Sequence, residues 1–221
     1  MKARHPVFRI TGPALRLMVV SVVAVAVTAC SQSMVLKPEA EVPPPLASQL
    51  PLHIAVHYPE EFRTYVYEEN SDDRQNWSID CGPSQVVLFD QVLPALFAEV
   101  SHVNEIHAAA GSGLDAILVP RVEDMQFALP HETRTELYEA WLRYSITLYE
   151  PDGRKITEFP LTGYGKSTTS LFSGREDGLN SAINEAFRDV GARLTLGFRN
   201  NQAVRPWLLA KQAEAGAGAG P

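Results

Sequence analysis

Gly163-Tyr164-Gly165-Lys166-Ser167-Thr168 is the stretch whose spelling comes nearest to a known chemistry, that of a phosphate-binding loop. The pattern G-x-x-x-x-G-K-[ST] would need a glycine at 160, and the residue there is Pro160. The stretch also closes a predicted hairpin strand instead of opening a helix, so no cradle of backbone N–H groups is expected. The plainer reading is a glycine-rich strand end that lets two backbones approach closely. His53 and His57 would share one side of a strand at about 13 Å, too far apart to chelate one ion. His102, Glu105 and His107 flank a predicted turn and could offer a weak surface metal site. Solvated loop side chains are the preferred reading. Glu123 and Asp124, adjacent in a strand, should point to opposite faces and make a poor acid–base pair. Arg188-Asp189 reads as a solvated helix face. No H-E-x-x-H, C-x-x-C or G-x-S-x-G occurs. No catalytic residue, metal or cofactor is therefore expected, and the chain is read as a non-enzyme.

The chain has two cysteines, and Cys30 carries the one specific signal. The first sixteen residues hold Lys2, Arg4, Arg9 and Arg16 and no acid. An apolar run follows from Leu17 to Val27, broken only by Ser21, and ends in Val27-Thr28-Ala29-Cys30. A basic region, a short apolar region and small residues at a cut describe a secretory signal. The run is too short for a comfortable membrane span of about 20 residues. The ending resembles the lipobox of bacterial lipoproteins. That resemblance implies a diacylglyceryl thioether on Cys30, cleavage just before it and acylation of the new amine. Two or more acyl chains make anchoring stable. By the same resemblance, Ser31 in place of Asp favours the outer membrane. An uncleaved N-terminal helix, or an ordinary signal with Cys30 incidental, is the lesser alternative. Cys81 would then be a lone thiol, read as a buried apolar side chain before a reactive one.

Without residues 1–29 the chain carries 15 Lys and Arg against 26 Asp and Glu, a net charge of −11 with His neutral. Nucleic acid and anionic lipid surfaces select basic patches, so neither is an expected partner of the domain.

Four regions follow: a signal at 1–29, an acylated Cys30 with a Pro-rich tether at 30–50, one domain at 51–210, and a disordered Ala/Gly tail at 211–221. Within the domain, residues 52–58 alternate as a first strand, and 62–68 and 77–80 read as further short strands. Val86, Phe89, Leu93, Phe97 and Val100 recur at helical spacing. Pro94 either kinks that helix or marks a late start capped by Asp90, and one kinked helix is preferred. Residues 103–108 and 114–129 read as extended. Pro120 makes the latter an edge, a bulge or two pieces. Residues 136–150 alternate most clearly, with Trp141 on the otherwise polar face. Pro151-Asp152-Gly153 supplies a tight turn into a partner strand at 155–167. Ser173 and Glu176 fit a capping box before the apolar stripe Leu179, Ile183, Ala186, Phe187, Val190 and Leu194. Trp207 and Leu208 are expected to fold back on the domain. The fold class is α+β: a mixed or mainly antiparallel sheet of 4–6 strands with two amphipathic helices on one face.

This layout, over Leu52 to Phe198, resembles outer-membrane lipoproteins with domains like the N-terminal domain of TolB, the penicillin-binding-protein activators and CsgG-like assembly lipoproteins. The resemblance implies a periplasm-facing adaptor bound to the membrane through lipid on Cys30. An envelope protein partner is expected, Trp141 is the candidate contact unless it lies under the tail, and a homo-oligomer stays open. The rival readings are an auxiliary lipoprotein of a transport system holding an apolar ligand between helices and sheet, and an envelope hydrolase with an unrecognised site.

Overall fold

The computed structural model describes residues 33–40, 48–70, 75–109, 111, 113–134, 136–168 and 174–218. The signal and Cys30 lie outside the described residues.

The strands are β1 (Ser33–Leu36), β2 (Leu50–Val56), β3 (Val66–Glu69), β4 (Asn76–Asp80), β5 (Phe97–His102), β6 (Ala116–Ala128), β7 (Leu137–Tyr149) and β8 (Lys155–Thr168). The helices are α1 (Glu60–Arg63), α2 (Gly82–Leu96), α3 (Arg175–Gly197) and α4 (Arg205–Gly218). A five-stranded mixed sheet runs β5-β2-β6-β7-β8, and a small sheet runs β1-β4-β3. The α+β class and the sheet of 4–6 strands are as expected. β2 is parallel to both β5 and β6, whereas β6, β7 and β8 form an antiparallel meander.

The central strand of the meander, β7, is long because its sequence alternates without a break. Tyr138, Ala140, Leu142, Tyr144, Ile146 and Leu148 of β7 are all buried on one face. Gly153 makes the β7–β8 turn at φ +91°, a conformation that favours glycine. Both long helices cover this buried face. Phe89 of α2 meets Tyr144 edge-on at 5.8 Å, and α3 lies across β7 and β8. The one polar side chain under α2, Gln85, is satisfied: its amide donates to the Phe62 carbonyl at 2.5 Å and accepts from Tyr144 Oη at 3.2 Å.

The approach of α3 is set by two glycines of β8. A Cβ on Gly163 would overlap the Ala186 carbonyl and Val190, and one on Gly165 would overlap the Ala182 carbonyl and the Ala186 nitrogen. The G-Y-G-K-S stretch is thus a place of backbone approach, with no helix opening after it.

Several boundaries differ from the sequence reading. α2 stops at Leu96, just past Pro94, and Phe97 onward becomes β5, so the single kinked helix gives way to helix then strand. Phe97 and Val100 sit three apart by coincidence with helical spacing. Their backbone is claimed by parallel pairing with β2, where Val100 faces Ile54. Residues 62–68 split into the end of α1 and the start of β3. Residues 106–109 form a 3-10 turn instead of a strand. The cap of α3 is Gly174, whose N–H donates to Asp177 Oδ2 at 3.1 Å, one residue beyond the expected Ser173–Glu176 box. Glycine has no side chain to return the bond, so only half of a capping box exists.

Both ends also depart from expectation. The Pro-rich tether expected at 30–50 is partly docked: Ser33–Leu36 pair in parallel with β4 and Ala40 is buried. The tail at 211–221 was to be disordered, yet α4 continues to Gly218. Its anchor is the predicted pair Trp207 and Leu208, both buried. Lys211 adds an ion pair to Asp115 at 3.6 Å.

Candidate functional site

The face of the meander opposite α2 and α3 is built by the other register of each strand. Along β7 that register presents Glu139, Trp141, Arg143, Ser145 and Thr147. Across the ladder stand Gln126 and Asp124 of β6 and Lys166, Tyr164 and Thr162 of β8. Trp141 lies directly opposite Tyr164, with ring centroids 5.4 Å apart and planes inclined by 37°. Both remain open, at 39% and 36% exposure. The tail does not bury Trp141.

The ledge is held from both flanks. Tyr164 Oη donates to Glu139 Oε1 at 2.6 Å. That bond raises the Tyr164 pKa, with partial desolvation and the carboxylate's charge acting in the same direction. Phenolic Tyr164 therefore keeps its proton and its orientation. On the other side Arg143 meets Glu123 at 3.2 Å and Asp124 at 3.8 Å. A register shift between Val122 and Asp124 makes this possible, because the bulged residue Glu123 lets both carboxylates reach one arginine. Simple alternation had put them on opposite faces, and a bulge leaves no mark in the residue types. Gln126 donates to Asp124 at 2.9 Å. Asp124, Gln126, Trp141, Arg143, Tyr164 and Arg193 line a shallow cavity of about 340 Å³.

Behind the ledge, the exposed edge of β8 is closed at one point. The Tyr164 N–H donates to Asp189 Oδ2 at 2.9 Å, and Arg193 Nε donates to the same oxygen at 2.7 Å. Asp189 is therefore tied to the sheet edge, where the sequence suggested only a solvated face; Arg188 pairs with Glu185.

The histidines do not assemble. His53 neighbours Ser101 at 3.2 Å and Glu99 at 3.6 Å. His57 Nδ1 lies 3.1 Å from the Val103 carbonyl. His102 Nε2 and Tyr58 Oη both bond Asp90 Oδ1, at 2.9 and 2.7 Å. His107 sits over Gly153. Among the described residues no group of three or more His, Cys, Asp or Glu could hold a metal ion. Cys81 is fully buried, 3.7 Å from Met125 Sδ, and burial pushes its thiol up to about 12. A thiol so placed is not a nucleophile at neutral pH. The candidate lipid site, Cys30, lies outside the described residues, and no described helix is long and apolar enough to cross a membrane.

No family model and no curated protein matches the chain. Among solved structures, protein XCC0632 from Xanthomonas campestris, of the family DUF330, is similar at a TM-score of 0.50 and 16% identity. The match covers 82% of this chain and 99% of that one. A minor lipoprotein from Acinetobacter baumannii is similar at 0.37 and 17% identity, over 70% of this chain and 96% of that one. A neuraminyllactose-binding hemagglutinin homolog from Helicobacter pylori is similar at 0.44 and 11% identity, over 80% and 99%. The first likeness shows a shared fold. The other two are too distant to carry an argument.

Proposed function

We propose that this chain is an accessory lipoprotein, anchored through Cys30 at the outer membrane with its domain facing the periplasm, and that it binds an envelope protein through the Trp141–Tyr164 ledge. The lipobox spelling supports the anchor, and the layout likeness to TolB-like and activator lipoproteins supports the adaptor role. The ledge is the observation that carries the site. Its two rings are exposed and fixed by cross-strand stacking and by Glu139. Its arginine is held by two carboxylates. Trp, Tyr and Arg are the residues in which binding energy concentrates at protein interfaces. A rigid sheet presents them with little ordering left to do on association.

An auxiliary role in a lipid or solute transport system fits the same anchor. Its apolar ligand finds no room at Gly163 and Gly165, which stand against the backbone of α3.

The test is in-cell photo-crosslinking of the full-length protein, with the crosslinker placed at Gln126 or at Thr162 beside the ledge, and at Glu61 as a distant control. One dominant envelope protein captured at the ledge positions, and lost when Trp141→Ala is added, is the expected result. Equal capture at all three positions removes the ledge from the proposal. Unchanged membrane fractionation of Cys30→Ser removes the anchor.

A further inference from the structure

The three parallel strands of the main sheet create a second recess, beyond the carboxyl end of β2. The chain leaves β2, passes through α2 and returns as β5 on one side of β2. It then crosses to β6 on the other side. Consecutive connections that part to opposite sides of a strand leave a crevice beyond its carboxyl end, and in open parallel sheets ligands bind in that crevice. Here it is deepened because β2 stops at Val56 while its neighbour β6 runs on to Ala128. The last rung is the His57 N–H to the Leu118 carbonyl, at 3.0 Å. Past that rung β6, still paired with β7 on its other side, forms a wall bearing Val119 and Arg121.

The cavity there measures about 580 Å³. It is lined by His57 and Tyr58 after β2, by Arg63 of α1, by Asn104 after β5, and by Arg121 of β6. The guanidinium groups of Arg63 and Arg121 make no ion pair or hydrogen bond among the described residues. By contrast Arg143, Arg154, Arg188 and Arg193 are all paired with carboxylates. Two acids, Glu60 and Glu61, stand in the first turn of α1 on the same rim, yet neither lies within ion-pair distance of either guanidinium. The His57 ring is oriented by the Val103 carbonyl, which occupies Nδ1 and leaves Nε2 as its open atom. Tyr58 is fixed by Asp90 and by stacking on Phe62 at 5.6 Å.

We infer that this crevice binds a small oxyanion, a carboxylate or a phosphate ester, between Arg63 and Arg121. Guanidinium forks match the planar or tetrahedral oxygens of such groups, and a fork–fork bond adds directionality as well as charge. Asn104 supplies an amide donor. The acids on the rim balance the two arginines in number, so recognition rests on directed hydrogen bonds at short range more than on a broad positive field. The volume lies within the range of small-molecule sites, which favours an organic anion over a bare ion. The crevice is separate from the ledge and does not depend on it.

The test titrates the full-length protein in detergent with malonate and, separately, with inorganic phosphate, by calorimetry. Arg63→Gln, Arg121→Gln and the control Arg154→Gln are run beside it. Saturable binding of at least one probe is expected, weakened about tenfold or more by either crevice substitution and unchanged by the control. Binding of malonate alone would assign a carboxylate ligand, and binding of phosphate as well would extend the assignment to phosphate esters. All three exposed substitutions should leave the melting temperature unchanged, so a lost signal reads as lost binding. Absence of saturable binding by both probes, or binding that neither crevice substitution weakens, overturns the inference.

Discussion

The amide of Tyr164 is held by the carboxylate of Asp189, at 2.9 Å, across the gap between an edge strand and the helix beside it. Edge strands present rows of free N–H and C=O groups to which another strand can add. On β8 one outward N–H is already taken by Asp189. Pro160, of the same register, has none to offer. Asp189→Ala should free the Tyr164 amide. Its hydrogen exchange is expected to speed up, and stability should fall by about 1–3 kcal/mol, the cost of a charge-assisted bond lost at a partly exposed site. Exchange unchanged at Tyr164 would show that the edge is protected by something else.

The close seam between β8 and α3 gives a sharper expectation. Gly165→Ala places a methyl group against the backbone of Ala182 and Ala186, which cannot rotate aside. A loss of about 1–3 kcal/mol or more is expected from overpacking. Gly216→Ala in α4 meets nothing within 4 Å and should be neutral or slightly stabilising, as alanine favours helix. Urea denaturation of the two variants side by side checks the contrast. Equal stabilities would mean that the helix stands off the strand.

Trp141→Ala should separate binding from folding. The ring is exposed and packs mainly on Tyr164, so a stability change near 1 kcal/mol is expected from the lost aromatic pair. Partner capture should drop far more, by a factor consistent with about 2 kcal/mol or more for an interfacial tryptophan. Loss of both in equal measure would make Trp141 a structural residue.

Alkaline pH should unfold the domain cooperatively. Burial pushes Cys81 up to about 12 from 9.0 and Tyr65 up to about 12 from 10.0, and raises Tyr58 and Tyr144 as well. Each group holds its proton in the folded state at a pH where the unfolded chain has released it. Their stabilising effect is whole below about pH 9 and declines as pH climbs toward 12. Thiol labelling of Cys81 should follow global unfolding. Rapid labelling of the folded protein at pH 8 would contradict its burial.

Much of this was legible because burial dictates residue type. The alternation of residues 136–150 marked β7, Pro151-Asp152-Gly153 marked its turn, and the stripe from Leu179 to Leu194 marked α3. The misread parts are those where one pattern serves two structures. Phe97 and Val100 suit a helix face as well as a strand beside β2. Glu123 is set apart by a bulge that depends on the partner strand's register, not on its own identity. Trp141 could be found from sequence because an aromatic ring broke a polar face. Arg63 and Arg121 could not: they are far apart in the chain, and only the crossing of β5 to β6 over β2 brings them to one rim.

The pairing of Ser33–Leu36 with β4 changes the leash that Cys30 would provide. A free run to Leu50 would let the domain roam tens of ångströms from the bilayer. With β1 docked, only Ser31 and Gln32 separate a lipidated Cys30 from the folded body, a slack of about 10 Å. The small sheet would then ride against the headgroups, and the domain could swivel but not extend. A partner within reach would be one that already stands at the membrane surface.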